Sequence, residues 1–150
     1  MKKFNIVVVL FAVFITGKVS AQIVHPVTWS YASKLTGKNE VVVLLKATIE
    51  PGWHIYSAYQ DDGGPVKTSF DFAVSKDYQL NGKTTEPVPV SKFEEAFNMK
   101  VKYHENSAVF QQKVHLNTAH PVVKGQLKFM VCNNQKCLPP ETIEFAIPVK

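Results

Sequence analysis

Apolar side chains recur at every second position through most of this chain, and turn-forming residues interrupt the alternation at close intervals. A period of two is the signature of strands that bury one face. "VTWSYASKL" (Val27 to Leu35) alternates, and "TGKN" (Thr36 to Asn39) reads as a turn. "EVVVLLKATI" (Glu40 to Ile49) is rich in β-branched residues, and Pro51-Gly52 ends it. "WHIYSAY" (Trp53 to Tyr59) reads as a short strand, "DDGGP" (Asp61 to Pro65) as a loop and "TSFDFAV" (Thr68 to Val74) as a further strand. "NGK" (Asn81 to Lys83) is a turn signal, and "EPVPV" (Glu86 to Val90) is extended. "SKFEEAFNM" (Ser91 to Met99) fits one helical turn or a loop. "KVKYHENSAVFQQKVHL" (Lys100 to Leu116) reads as a hairpin turning at Glu105-Asn106. "GQLKFMVC" (Gly125 to Cys132) and "ETIEFAIPV" (Glu141 to Val149) supply the last two strands. Many short strands with frequent turns, and no sustained helical period, predict an all-β antiparallel sandwich or barrel. No repeat, low-complexity tract or linker divides the chain, so one domain is expected. A thioredoxin-type layout is disfavoured, because it needs strands alternating with helices.

The N-terminus follows a different rule. Lys2 and Lys3 precede an unbroken apolar run from Ile6 to Ile15, and Val19-Ser20-Ala21 places small residues where a signal peptidase acts. That is the layout of a secretory signal peptide over residues 1–21, cleaved after Ala21. The run is short for a membrane span, which makes an uncleaved anchor the weaker alternative. The mature domain would span residues 22–150, and loss of Lys2, Lys3 and Lys18 takes the net charge from +5 to +2. All 17 basic residues are lysine. Arginine is the usual fork for phosphate and base edges, so no nucleic-acid partner is expected. No serine-centred motif, paired-carboxylate scaffold or phosphate loop supports a hydrolase or kinase reading. "DDGG" (Asp61 to Gly64) has too few oxygen ligands at set spacing for a cation loop.

Export implies an oxidising compartment, where paired thiols meet as disulfides. The only two cysteines, Cys132 and Cys137, lie in "FMVCNNQKCLPPETI" (Phe129 to Ile143). Cys132 ends one predicted strand and Cys137 precedes the next, so the two could face each other across a hairpin neck, within disulfide range. Such a bond closes a short loop, worth roughly 2 kcal/mol against about 4.7 for a 100-residue loop. As a staple it is badly placed; as a local, stiff pair followed by Pro139-Pro140, it could open without unfolding the domain. Three readings stay open on spacing alone. One is a structural hairpin clip on a non-enzymatic protein-binding module, and another is a pair that exchanges with other thiols. The third is a soft copper site that adds Met130 or His54 to the two sulfurs.

"PGWHIYS" (Pro51 to Ser57), followed by "VCNNQKCLPPE" (Val131 to Glu141), resembles the N-terminal periplasmic domain of DsbD, the transmembrane thiol:disulfide interchange protein. The resemblance extends from the Trp29 strand to the C-terminus. It implies an immunoglobulin-like β-sandwich and no cofactor or metal. It implies that Cys132 and Cys137 cycle between dithiol and disulfide, with Cys137 meeting the partner and Cys132 resolving the mixed disulfide. It further implies a cap loop over the pair, which matches "FEEAFNMKVKY" (Phe93 to Tyr103), with Phe97 as the cap and Glu94 and Glu95 as its acidic residues. Tyr56 matches an aromatic near the cysteines; His54 stands where better-known members carry another tyrosine. The implied partners are thioredoxin-fold redox proteins in the periplasm. The family continues into membrane helices and a second soluble domain, whereas this sequence stops at Lys150. The expectation is therefore a free-standing monomer that takes electrons from a membrane-embedded donor on another chain. Without the resemblance, Phe97 is a packing residue, Glu94 and Glu95 are a solvated pair, His54 is a strand histidine with a satisfied partner, and Trp29 and Trp53 are core residues.

Overall fold

The structure, a computed structural model, describes residues 25–150. The signal-peptide segment and its cleavage point lie outside the described residues. Eleven strands, and no helix among the described residues, form three antiparallel sheets. The first has the order β1 (Val27–Leu35), β2 (Glu40–Ile49), β8 (Ser107–Leu116), β5 (Tyr78–Thr85). The second has the order β11 (Glu141–Pro148), β9 (Val122–Phe129), β4 (Ser69–Phe72). The third, smaller sheet has the order β10 (Val131–Asn133), β3 (Trp53–Tyr56), β7 (Met99–Glu105), β6 (Val90–Glu94).

The first two sheets face each other as the sandwich. Alternation sets their inner faces: Val41, Val43, Leu45, Ala47 and Ile49 of β2 and Ala108, Phe110 and Val114 of β8 are buried, while the residues between them face outward to varying depth. From the second sheet come Val123, Leu127, Phe129, Phe145 and Ile147. Trp29 fills the space between the layers, with its ring 5.5 Å from Phe129, 5.9 Å from Phe110 and 6.2 Å from Phe70. Gly125 pairs with both Phe72 and Phe145, and a Cβ there would come within 2.6 Å of the Phe145 ring, so this position of β9 admits no side chain.

The third sheet carries the site, and its origin corrects the expected hairpin at Glu105-Asn106. β7 pairs with β3 and β8 with β2, but β7 and β8 do not pair with each other. The chain keeps its direction through Asn106, whose φ of 60° bends it, while the Ile49 amide donates to Asn106 O at 2.8 Å. Pro51 and Gly52 form a tight loop on the facing strand, closed by the Trp53 amide donating to Glu50 O, and so bend β2 into β3 at the same level. Two long paired strands therefore leave the sandwich together and continue as the middle of the third sheet. An asparagine that tolerates the left-handed region signals a bend as readily as a reversal.

Two other expectations change. Asn81-Gly82-Lys83 is not a turn between strands; β5 runs through it with a register shift against β8, and Gly82 takes φ 74°. The buried Gln112 amide holds this irregular edge by donating to Gly82 O at 3.1 Å and accepting from Thr84 Oγ1 at 2.8 Å. Residues 91–99 contain no helical turn. β6 and β7 form a hairpin whose loop, Glu95 to Asn98, is closed by the Phe97 amide donating to Glu94 O at 3.2 Å, with Asn98 at φ 51°.

Candidate functional site

The two cysteines sit where the sequence puts them, on opposite sides of a tight reversal. The Asn133 amide donates to Lys136 O and the Leu138 amide to Val131 O, both at 2.9 Å. These bonds flank the pair, so Cys132 and Cys137 occupy a non-hydrogen-bonded position of the ladder, where side chains approach most closely. They are joined as a disulfide with a Cα–Cα distance of 4.0 Å. Asn133 Oδ1 accepts from the Gln135 and Lys136 amides at 2.8 Å, so the reversal is built from backbone and Asn133 alone. Leu138 then packs on the main core, which fixes where Cys137 leaves the neck.

The two halves of the disulfide differ. Cys132 is 1% exposed and packs with Tyr56 and Val101, whereas Cys137 is exposed. Register explains the burial. Cys132 lies opposite His54 on β3, and Tyr56 lies opposite Tyr103 on β7. With a side-chain period of two, Cys132, His54, Tyr56, Tyr103 and Val101 share one face of the small sheet. Val131 and Ile55 alternate to the other face and join the main core. The sheet thus seals one end of the sandwich and presents a second apolar cluster outward.

The expected cap residue reaches this cluster. Phe97, at the tip of the β6–β7 hairpin, packs on it together with Met99, Tyr103 and Met130, and meets the Tyr56 ring edge-on at 6.3 Å. His54 is 8% exposed, its ring lies 4.8 Å from that of Tyr103, and its Nε2 is 3.3 Å from the Tyr56 hydroxyl. Burial pushes the Tyr56 phenol up, and the negative field of Glu94 adds to the rise. Burial pushes His54 down; Glu94 and Glu105 oppose this and Lys92 assists it. Burial raises Tyr103 as well, followed by Glu105 and Glu94. Of the two acidic residues singled out in the sequence, Glu94 therefore acts on the face that holds Cys132. Glu95 is exposed in the loop and perturbs none of these groups. Of the further ligands in the copper reading, Met130 packs on the Cys132 cluster and His54 lies opposite Cys132 in the β3–β10 ladder.

A buried polar network behind the site is absent from the sequence reading. Glu86, with a side chain 6% exposed, accepts from Ser57 Oγ and from the Ala58 amide at 2.8 Å, and its Oε2 lies 3.3 Å from His104 Nε2. His104 Nε2 makes no aligned hydrogen bond there. Burial pushes the Glu86 carboxyl up, but His104 and the donors from Ser57 and Ala58 outweigh it and hold the pKa below its ordinary value. The network ties the β5–β6 connection to the end of β3 and to β7, and so anchors the strand that leads into the capping hairpin. Its members come from positions 57, 86 and 104, which no local spacing links.

The sequence matches the family described as thiol:disulfide interchange protein DsbD, N-terminal, over residues 21–148. No curated protein sequence matches the chain at a significant level. Among solved structures, the DsbD N-terminal domain of Neisseria meningitidis in its reduced form superposes with a TM-score of 0.57 at 18% identity, covering 83% of this chain and 86% of that one. The DsbD N-terminal domain of the same organism, in its complex with the PilB N-terminal domain, gives 0.55 at 17% identity, covering 83% of this chain and 87% of that one. The N-terminal periplasmic domain of ScsB from Proteus mirabilis gives 0.52 at 18% identity, covering 82% of this chain and 44% of that one. The likeness fixes the architecture as the immunoglobulin-like β-sandwich expected from the sequence.

Proposed function

We propose, from the premise that this chain belongs to the family of DsbD N-terminal domains, that it is a thiol–disulfide exchange protein working through Cys132 and Cys137. The observation that carries the reading is the asymmetry of the disulfide: one half exposed at a hairpin neck, the other buried beneath a capping hairpin. In the reducing direction a partner thiolate attacks Sγ of Cys137 and the Cys132 thiolate leaves, forming a mixed disulfide. A second partner thiolate then attacks the partner's own sulfur in that mixed disulfide. The partner leaves oxidised and this chain keeps two thiols. Run backward, Cys132 attacks Cys137 Sγ and expels the partner. Phe97 is the gate, since it covers the cluster that holds Cys132 and rides on a two-stranded hairpin at the sheet's edge. Glu94 disfavours a second negative charge on that face and so keeps the resolving thiol protonated until a partner is bound. Glu95, exposed beside it, faces the incoming partner, and Tyr56 packs against Cys132.

The partners in this reading are thioredoxin-fold redox proteins; the complex of the Neisseria DsbD N-terminal domain with the PilB N-terminal domain supports a protein partner. A membrane-embedded donor supplies electrons to the domain. The compartment is the periplasm, reached by a signal peptide cleaved after Ala21. The test is covalent trapping with a thioredoxin that keeps only its attacking cysteine, loaded as the mixed disulfide with thionitrobenzoate, so that an attacking thiolate bonds to the thioredoxin sulfur and the aryl thiolate leaves. The Cys132→Ser variant, which leaves Cys137 free, should form a stable mixed disulfide, and Cys137→Ser should form little. Failure of wild-type protein to exchange with any dithiol, with Cys132→Ser untrapped, would return the pair to a hairpin clip.

A further inference from the structure

Resolution of a mixed disulfide needs Cys132 as a thiolate, yet Cys132 is buried in an apolar cluster, where a thiol holds its proton. Something must take that proton at neutral pH. His54 lies directly opposite Cys132 in the β3–β10 ladder, on the same face of the sheet. Directly opposed side chains have Cβ atoms roughly 4.5–5.5 Å apart, which makes His54 and Cys132 cross-strand neighbours on that face. The ring is held in place between the Tyr56 hydroxyl at 3.3 Å and the Tyr103 ring at 4.8 Å.

We propose that His54 is the proton partner of Cys132, accepting the thiol proton as Cys132 attacks and returning it when Cys132 leaves. The inference rests on the exchange reading above. In the resolving step, Cys132 S–H gives its proton to neutral His54, the Cys132 sulfur bonds to Cys137 Sγ, and the bond from Cys137 to the partner sulfur breaks. The departing partner thiolate takes the proton from the imidazolium or leaves it to solvent. No outside oxidant or reductant enters. In the reverse direction, the imidazolium protonates the leaving Cys132 thiolate.

The titratable and charged groups facing His54 are Tyr56 on its own strand, Cys132 on β10, Tyr103 and Glu105 on β7, and Glu94 and Lys92 on β6. Of these, only His54 adjoins Cys132 in the ladder and has an ordinary pKa within the neutral range. Burial dominates its surroundings and pushes the pKa down, so the neutral, proton-accepting form prevails at pH 7. Glu94, on the far edge strand with β7 and β3 between it and β10, acts on this face through its field and does not itself take the Cys132 proton.

The test uses an aromatic disulfide reagent, dithionitrobenzoate, on the reduced protein. Cys137 displaces the first aryl thiolate in a phase that depends on reagent concentration. Cys132 displaces the second in a phase that does not. The rate of that second phase, followed from pH 5 to 9, should level off above the His54 pKa in wild-type protein. In His54→Phe, which keeps an aromatic ring on Tyr103, and in His54→Gln, which keeps a hydrogen bond to Tyr56, it should climb through pH 9 as the bare thiol ionises. At pH 7 both variants should be slower by on the order of a hundredfold, the usual reach of a positioned base. Equal pH profiles in wild type and both variants would overturn the role of His54 and leave exchange intact. Absence of a reagent-independent phase in wild type would overturn the exchange reading itself.

Discussion

Reducing the disulfide should cost little stability and leave the domain folded. Only five positions separate the cysteines in sequence, and the chain-entropy relation gives about 2 kcal/mol for a loop of that size. The neck keeps its other fastenings: the Asn133 amide to Lys136 O, the Leu138 amide to Val131 O, and two amides on Asn133 Oδ1. Neither sulfur belongs to the main core; Cys132 sits in the small cluster with Tyr56 and Val101. Domains of this size have about 5–15 kcal/mol in hand, so a loss of about 2 leaves the native state dominant. The corresponding drop in Tm is about 5–10 °C. Urea unfolding of oxidised protein, reduced protein and the Cys132→Ser, Cys137→Ser double variant should give three cooperative transitions of equal slope, the last two shifted together to lower midpoints. Loss of the cooperative transition on reduction, or a difference above about 5 kcal/mol, would refute the argument and make the bond a structural staple.

Two further perturbations probe the surroundings. Phe97→Ala should speed reduction of the disulfide by dithiothreitol while lowering stability by about 1–2 kcal/mol, since a half-buried ring is lost from the Cys132 cluster; an unchanged rate would remove Phe97 as the gate. Glu86 has a folded pKa depressed from its ordinary 4.5. Its contribution to stability is therefore complete above pH 4.5 and disappears as pH falls through the lower folded value. Urea midpoints should decline in that acid window for wild type and decline less for Glu86→Gln, which at pH 7 should already be about 1–3 kcal/mol less stable because its single amide oxygen cannot serve both the Ser57 and the Ala58 donors.

The strands were legible because burial and sequence share one period: β2 alternates buried and more exposed positions through all ten of its residues. What local sequence could not decide was whether a left-handed residue reverses the chain or only bends it. Asn98 closes a hairpin, whereas Asn106 continues a strand, and both have positive φ. The difference lies in the partner: β2 and β3 run on past Asn106, and nothing equivalent runs past Asn98. The disulfide was readable because its halves are neighbours in sequence. The alternation in "WHIY" already puts His54 and Tyr56 on one face and Ile55 on the other, but only the β3–β10 register brings that face to Cys132. The Ser57–Glu86–His104 network had no local signal, since each member alone reads as an ordinary polar residue near a strand end.

The reduction potential of the Cys132–Cys137 pair tests the central claim most directly. Reduced and oxidised protein would be equilibrated in glutathione and dithiothreitol buffers, and the free thiols counted by alkylation and mass. Exchange through this pair predicts a potential in the range of roughly −120 to −270 mV with the fold unchanged on reduction; a potential below about −300 mV would contradict it.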